Sequence, residues 1–171
     1  MSKVTIIDNV LPDSAFRFLH GFLTRQPIWN LDMWSDEKNY RIAGRVLYDS
    51  YSNINSETSA QALCTMAYCF IANRANFISS NVKRIHIGGK VGPQKDILHT
   101  DEQDKDTYSV LYYLTPDWEK SWGGQTIVDN EKVDYVSNRA VIYPSHLLHG
   151  GMSTKTPVFR TYVNYIVKGK E

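Results

Sequence analysis

The sequence predicts a mainly β protein of the α+β class, in which two N-terminal helices support a double-sheet jelly roll. Two observations lead to this fold. Apolar residues recur at helical spacing in two early segments, and from Asn81 onward they alternate in short runs separated by Gly, Pro and Asp turns. An order of two helices followed by six or seven short strands suggests that the strands form a two-sheet jelly roll and that the helices pack on it. We therefore expect a double-stranded β-helix with its helices outside.

The chain has 171 residues, a length typical of one domain with a sizeable core. We expect a single domain at 1–171, whose β core covers about 82–167. The net charge is +1, so overall electrostatics gives no reason to expect a nucleic acid or membrane partner. No apolar run approaches the roughly 20 residues of a membrane-spanning helix.

The N-terminus and the cysteines indicate a cytoplasmic protein. Asp8 and Asn9 interrupt the apolar stretch that a secretory signal would need. Cys64 and Cys69 are five residues apart on a predicted helix, so they point to different faces. We expect reduced core thiols and no disulfide.

The N-terminal part begins with a short strand at 4–7 and a first helix that starts near Asp13 or Ser14, either of which could be its N-cap. An apolar stripe on this helix contains Phe16, Leu19 and Leu23, and His20 is expected at its surface or half-buried.

Residues 26–55 are irregular and rich in aromatic side chains, among them Trp29, Trp34, Tyr40, Tyr48 and Tyr51. They form either a wall over a site or loops that cover the core.

A second helix is predicted from Ser56 to about Phe77. Its apolar residues at helical spacing include Leu63, Met66 and Phe70, which we expect to pack against the sheet. The strands that follow are predicted at 82–87, 108–114, 125–128, 132–136, 140–143 and 159–167.

The residues that indicate a function begin with His99-Thr100-Asp101. A further histidine, His149, follows, and Arg160 lies eleven positions beyond it. His99 and Asp101 are two apart on an extended segment and point the same way. Two imidazoles and one carboxylate on one metal face form the facial triad of non-haem Fe(II) oxygenases. On the residues alone, His146 competes with His149 for the third ligand position.

From about Arg84 to Val167 the chain resembles the prolyl hydroxylase branch of the Fe(II)/2-oxoglutarate dioxygenases. The resemblance covers about half of the chain and rests on motifs that occur in the family's order. They are His99-x-Asp101, the run Leu111 to Trp118, Gly123-Gly124-Gln125-Thr126, Tyr143-Pro144-Ser145, His149-Gly150 and Arg160.

The resemblance implies roles for individual residues. His99, Asp101 and His149 would bind iron, and Arg160 would bind the distal carboxylate of 2-oxoglutarate. The spacing to Arg160 selects His149 over His146. Tyr113 would share the same carboxylate through its hydroxyl.

The chain also departs from the family pattern. His86 stands where relatives commonly have a tyrosine, so it would either contact the co-substrate or act as a strand histidine with a backbone partner. The loop from Gly88 to His99 is longer than usual, and the segments that grip a peptide substrate are not recognisable.

The implied activity is hydroxylation of a C–H bond with Fe(II), 2-oxoglutarate and O₂, with ascorbate as an auxiliary reductant, releasing succinate and CO₂. The carboxylate of Asp101 favours hydroxylation, because related halogenases have a small residue there. A prolyl residue of a peptide or protein is the first substrate hypothesis, and a free amino acid or other small metabolite is the alternative. A nucleic acid substrate is disfavoured because Ile166 occupies the position of a second arginine. A cupin-like binding module without catalysis is the remaining hypothesis.

Overall fold

A computed structural model of the chain describes residues 3–25, 29, 43–92 and 97–170. Its elements in chain order are β1 (Thr5–Ile7), α1 (Asp13–Arg25), β2 (Ala43–Asp49), β3 (Ile54–Asn55), α2 (Ser59–Arg74), β4 (Ile78–Val91), β5 (Thr107–Tyr113), a 3-10 turn (Lys120–Trp122), β6 (Thr126–Val128), β7 (Glu131–Val133), β8 (Ala140–Pro144), β9 (His149–Gly151) and β10 (Phe159–Gly169). No helix in these ranges is long and apolar enough to cross a bilayer.

The strands form two antiparallel sheets. The larger has seven strands in the order β1-β8-β5-β10-β4-β2-β3, and the smaller has three in the order β7-β6-β9. His99 pairs with His149 as an isolated antiparallel bridge, so the segment before Asp101 lies along the free edge of β9. This arrangement confirms the predicted mainly β fold, a double-stranded β-helix with helices outside it.

Two apolar cores lie on the two faces of the large sheet. The outer core holds the helices against the sheet and contains Leu19, Leu23, Ile71, Ile85 and Tyr165 among its buried residues. The inner core lies between the sheets and contains Leu111, Tyr113, Val128, Tyr135 and Tyr143. Because side chains alternate along a strand, one face of β4, β5 and β10 packs on the helices while the other lines the interior of the jelly roll.

The prediction for the buried face of α2 was partly wrong. Met66 is 41% exposed and Phe70 is 45% exposed, whereas Cys64, Ala67 and Ile71 are buried against the sheet. Leu63 is half-buried and packs on this core as predicted. Apolar residues surround the whole helix, so their spacing does not define one face.

The structure corrects several boundaries and environments. Helix α1 begins at Asp13, because the Pro12 carbonyl accepts the first helical hydrogen bond from Phe16 N at 2.9 Å. Helix α2 is shorter than predicted and begins after Thr58, whose side chain accepts a hydrogen bond from Gln61 N. Both cysteines are free, but only Cys64 lies in the core, since Cys69 is exposed.

The aromatic segment that was predicted at 26–55 is described at Trp29 and from residue 43 onward; Trp34 and Tyr40 lie outside the described residues. The described part both covers the core and forms part of the wall of a cavity. Leu47 of β2 is buried in the outer core, while Val46 and Asp49 line a cavity of about 600 Å³.

Candidate active site

Two of the predicted metal ligands are held together by their own backbone. His99 N donates to the His149 carbonyl at 2.8 Å, and His149 N donates to the His99 carbonyl at 2.8 Å. Residues paired in this way project their side chains from the same face of a ladder. Their imidazole rings accordingly lie with centroids 4.6 Å apart.

Asp101 joins the two histidines from the same segment. Its backbone N–H donates to the Ser145 carbonyl at 3.0 Å, which fixes the chain two residues after His99. Its carboxylate lies 3.8 Å from His99 Nε2 and 3.3 Å from His149 Nε2. One ligand atom from each residue lies within 4.8 Å of the other two, a separation that suits a shared metal ion. The donor set of two imidazoles and one carboxylate fits Fe(II).

The hydrogen bond of His149 leaves the other ring nitrogen available to a metal. Its Nδ1 lies 2.8 Å from the Leu147 carbonyl, which can only accept, so Nδ1 carries the proton. The unprotonated Nε2 then faces Asp101. Burial and the neighbouring His149 lower the pKa of His99, which favours the neutral form that a metal requires.

Three residues hold the Asp101 carboxylate in place. Ser109 Oγ donates to Oδ2 at 2.6 Å, Asn164 Nδ2 donates to Oδ2 at 3.1 Å, and Arg84 Nη2 donates to Oδ1 at 3.2 Å. Burial alone would raise the pKa of this carboxyl group, but the adjacent His149 ring, the hydrogen bond from Ser109 and the charge of Arg84 lower it well below its usual range. The group is therefore ionised and oriented before any metal binds.

His146, the competing ligand, lies outside this cluster. Its Nδ1 is buried without a hydrogen-bond partner among the described residues, and the ligand group that they form contains His149 instead. The structure therefore groups His149, and not His146, with His99 and Asp101, and metal binding by this group stays a prediction.

A cavity of about 600 Å³ opens next to the three ligands. The metal-ligand cluster and Arg160 line the same cavity, together with Leu111 and Tyr143 from the inner core. Val46, Asp49 and Ile54 of the β2–β3 segment also line this cavity. A metal and a small organic molecule would therefore share one enclosed space.

Arg160 is buried deep in this cavity, with only 1% of its surface exposed. Its Nε donates to the Gly124 carbonyl at 2.7 Å and its Nη2 donates to Thr126 Oγ1 at 3.2 Å. The guanidinium also lies over the rings of Tyr135, Tyr113 and Tyr162, at 4.9, 5.4 and 5.5 Å from their centroids. Within the described part of the chain it forms no ion pair, so a buried cation lacks an anionic partner.

The Tyr113 hydroxyl lies beside this cation. It donates to Thr126 Oγ1 at 2.7 Å, the atom that also accepts from Arg160. Burial raises the pKa of Tyr113, so it stays a neutral donor. Tyr113 is fully buried, and the bond to Thr126 would have to be exchanged or shared for its hydroxyl to reach a co-substrate.

His86 lines the cavity, but its Nε2 is buried without a hydrogen-bond partner among the described residues. The backbone partner that one reading of the sequence expected is therefore not found at this atom. Burial, with a smaller contribution from Arg84, lowers the pKa of His86 to about 4, so the ring is neutral near pH 7. Its part in binding a co-substrate stays a prediction.

Glycine after His149 allows the two ligand segments to meet. A Cβ on Gly150 would lie 2.3 Å from the Ile97 carbonyl oxygen, which is closer than atoms can approach. The same motif, His149-Gly150, was one of those that carried the family resemblance.

Sequence reasoning missed several functional residues. Ser109 and Arg84 lie on strands that the sequence predicted, but they were given no role, although both donate hydrogen bonds to Asp101. Lys90 was not singled out, although it is buried in the cavity, donates to the Gly151 carbonyl at 2.7 Å and pairs across the strands with Arg160. Alternation along β4 from Arg84 through His86 would have placed Lys90 on the same face.

Solved structures with the same fold include one in complex with a peptide fragment and one with a small organic molecule bound. A prolyl hydroxylase from Trichoplax adhaerens, in complex with a hypoxia inducible factor peptide fragment, is 18% identical with a TM-score of 0.68, and the match covers 98% of this chain and 83% of that one. A prolyl-4-hydroxylase from Pseudomonas putida is 15% identical with a TM-score of 0.67, covering 99% and 94%. HygX from Streptomyces hygroscopicus, with nickel, 2-oxoglutarate and hygromycin B bound, is 10% identical with a TM-score of 0.70, covering 98% and 83%.

The amino-acid sequence matches the profile of a known protein family. No curated protein matches the chain significantly. The profile of the 2OG-Fe(II) oxygenase superfamily matches residues 80–167, which is more than half of the chain and contains all three metal-ligand candidates and Arg160. The chain therefore belongs to the 2OG-Fe(II) oxygenase superfamily, whose members are non-haem iron enzymes that depend on 2-oxoglutarate.

Proposed function

We propose that the protein is a hydroxylase that converts a C–H bond of an amino-acid unit to C–OH. The overall reaction is R–H + 2-oxoglutarate + O₂ → R–OH + succinate + CO₂, which balances without a further reductant. Ascorbate would act only in keeping the metal reduced between turnovers.

The observation that carries this proposal is the buried guanidinium of Arg160 in the cavity of the metal-ligand cluster. A buried charge without a partner costs several kcal/mol, so such a group is normally matched by a ligand of opposite charge. Arg presents a planar fork that suits a carboxylate. A dicarboxylic acid can place one carboxylate on Arg160 and its other end at the metal.

The residues of the chain then have separate tasks. His99, Asp101 and His149 would hold Fe(II), which together with 2-oxoglutarate supplies the oxidising chemistry. Arg160 would bind the distal carboxylate, with Lys90 next to it on the neighbouring strand. Apolar and aromatic walls, Leu111 and Tyr143 among them, would exclude water from this end of the cavity.

Two classes of substrate are considered under this proposal. A prolyl residue in a peptide remains the first hypothesis from the sequence, and the similar fold of prolyl hydroxylases agrees with it. A free small molecule is the alternative, and HygX shows that the same fold is found with such a compound bound. The cytoplasmic location that the sequence suggested likewise stays a prediction, which cell fractionation would test.

Succinate formation tests the proposal. The purified protein is given Fe(II), 2-oxoglutarate and O₂, with capped proline-containing peptides and free amino acids as candidate substrates. We expect succinate to form with the wild-type protein and with His146→Ala, the matched histidine control, but not with His149→Ala. If the wild-type protein neither binds 2-oxoglutarate nor forms succinate, the proposed function is wrong. If His146→Ala is inactive and His149→Ala active, the ligand assignment is wrong.

A further inference from the structure

Arg84 is a further cation in the cavity, besides Arg160 and Lys90, and the proposed metal and co-substrate sites do not fully use it. Its Nη2 donates to Asp101 Oδ1 at 3.2 Å, and its side chain is 24% exposed. Its Nε is buried and has no hydrogen-bond partner within the described part of the chain. The side chain lines the cavity through its exposed part, so the guanidinium can bind a further anion there in addition to Asp101.

The position of Arg84 places such a ligand beside the metal. Arg84 and the co-substrate anchor Arg160 both line the cavity, and they are six residues apart along the β4–β10 ladder, since Arg84 pairs with Ile166 and Arg160 pairs with Lys90. Because Arg84 contacts the Asp101 carboxylate directly, an anion on its free donors lies next to the candidate iron site. The carbon atoms adjoining that anion are then the nearest to the reacting centre.

Asp49 supplies the opposite charge next to Arg84. The two residues are direct partners across β2 and β4, so their side chains leave the same face of the sheet, and both line the cavity. Asp49 Oδ1 accepts hydrogen bonds from the backbone N–H groups of Tyr51 and Ser52, at 2.8 and 3.2 Å, which hold the carboxylate in position. Among the described residues Asp49 forms no ion pair, and the ion pair of Arg84 is with Asp101 instead.

We propose that the substrate is a free α-amino acid, whose carboxylate binds Arg84 and whose ammonium group binds Asp49. This inference rests on the proposed function and gives its substrate class. Directly opposite residues in an antiparallel pair have Cα atoms about 4.5–5.5 Å apart, which suits two charges carried on neighbouring atoms of one small molecule. A residue inside a peptide has neither charge and would leave both Arg84 and Asp49 unmatched.

Calorimetric titration tests the binding directly, without turnover. The protein is loaded with Mn(II) and 2-oxoglutarate in the absence of O₂ and titrated with free L-amino acids, L-proline among them. Each amino acid that binds is compared with its amide, which lacks the carboxylate, with its N-acetyl form, which lacks the ammonium group, and with a peptide capped at both ends.

Two variants assign the two charges, and a third is the control. We expect Arg84→Gln to lose at least about tenfold in affinity for the free amino acid and to lose the preference for acid over amide. Asp49→Asn should lose the preference for the free amine over the N-acetyl form. Lys83→Gln removes the charge of the preceding residue, which is not among the residues that line the cavity, and it should bind as the wild-type protein does. Arg84→Lys, which keeps the charge, should retain part of the acid preference.

The outcomes separate this inference from the proposed function. Mn(II) and 2-oxoglutarate are titrated first into every variant, and the amino-acid titrations are made at concentrations that saturate both, because Arg84→Gln also removes a hydrogen bond to Asp101. If 2-oxoglutarate binds but no free amino acid does, or the capped peptide binds better, or neither variant changes the preferences, then this inference is wrong and the proposed function stands. If 2-oxoglutarate does not bind the wild-type protein, the proposed function itself fails.

Discussion

Replacing Arg160 should separate co-substrate binding from metal binding. The guanidinium is 1% exposed and donates to the Gly124 carbonyl and to Thr126 Oγ1, so its terminal nitrogens are fixed at the inner end of the cavity. Without it, a carboxylate of 2-oxoglutarate would be buried with no cationic fork. Removing one partner of a buried ion pair costs about 3–5 kcal/mol. At about 1.4 kcal/mol per tenfold change, Arg160→Ala should weaken 2-oxoglutarate binding by about a hundredfold to a few thousandfold.

Graded variants make this prediction specific. Arg160→Lys should lose less than Arg160→Ala, because the charge remains while the planar fork is lost. Tyr113→Phe should lose about tenfold or less, in keeping with one hydrogen bond. Arg17→Ala is the matched control, since Arg17 is half-exposed and pairs with Asp13 and Asp117 at the surface.

The assay is a calorimetric titration of 2-oxoglutarate at saturating Mn(II), preceded by a Mn(II) titration of each variant. Metal affinity should stay within a few-fold of wild type for all of them, because Arg160 contacts none of the three metal-ligand candidates. Wild-type affinity for 2-oxoglutarate in Arg160→Ala would refute the reasoning, since the anchor would then lie elsewhere.

Three further predictions follow from the structure. Gly150→Ala should weaken metal binding by at least about tenfold in a metal titration, because the new Cβ would force the backbone at Ile97 away and displace His99. The control is Gly21→Ala on α1, where a Cβ meets nothing within 4 Å. It should leave metal binding unchanged and add about 0.5–1 kcal/mol of stability. Burial lowers the pKa of His86 to about 4, so below about pH 6.5 the unfolded chain binds a proton on this imidazole that the folded chain does not bind. The free energy of unfolding, measured in urea, should therefore fall by about 2 kcal/mol between about pH 7 and about pH 5. His86→Gln should show a clearly smaller decrease if this histidine is the cause. A thiol reagent should label Cys69 in the native protein and leave Cys64 unmodified, because Cys64 is fully buried and burial raises its pKa to about 12; labelling of both at equal rates, read by mass spectrometry, would contradict the structure.

The sequence was sufficient to predict the elements whose signals are local. Alternation identified β4, β5 and β10, and the spacing of His99, Asp101, His149 and Arg160 within a family resemblance gave residues that the fold brings into one cavity. These features depend on strand periodicity and on short motifs, both of which can be read along the chain.

The features that the sequence did not reveal depend on neighbours far along the chain. Arg84 and Asn164 hold Asp101 from different strands, and no local pattern records that convergence. The outward orientation of Met66 and Phe70 was missed because α2 is apolar on all sides, so which face is buried depends on how the helix docks against the sheet. The Asp49–Arg84 pair similarly depends on the register of β2 against β4, which shifts between Val46 and Tyr48.

The most direct test of the account is a crystal structure of the protein with Mn(II), as an O₂-stable substitute for Fe(II), and 2-oxoglutarate. We expect the metal on Nε2 of His99, a carboxylate oxygen of Asp101 and Nε2 of His149, with the distal carboxylate of 2-oxoglutarate on the guanidinium of Arg160. A metal bound through His146, or a distal carboxylate bound to Arg84 with Arg160 left unpaired, would contradict it.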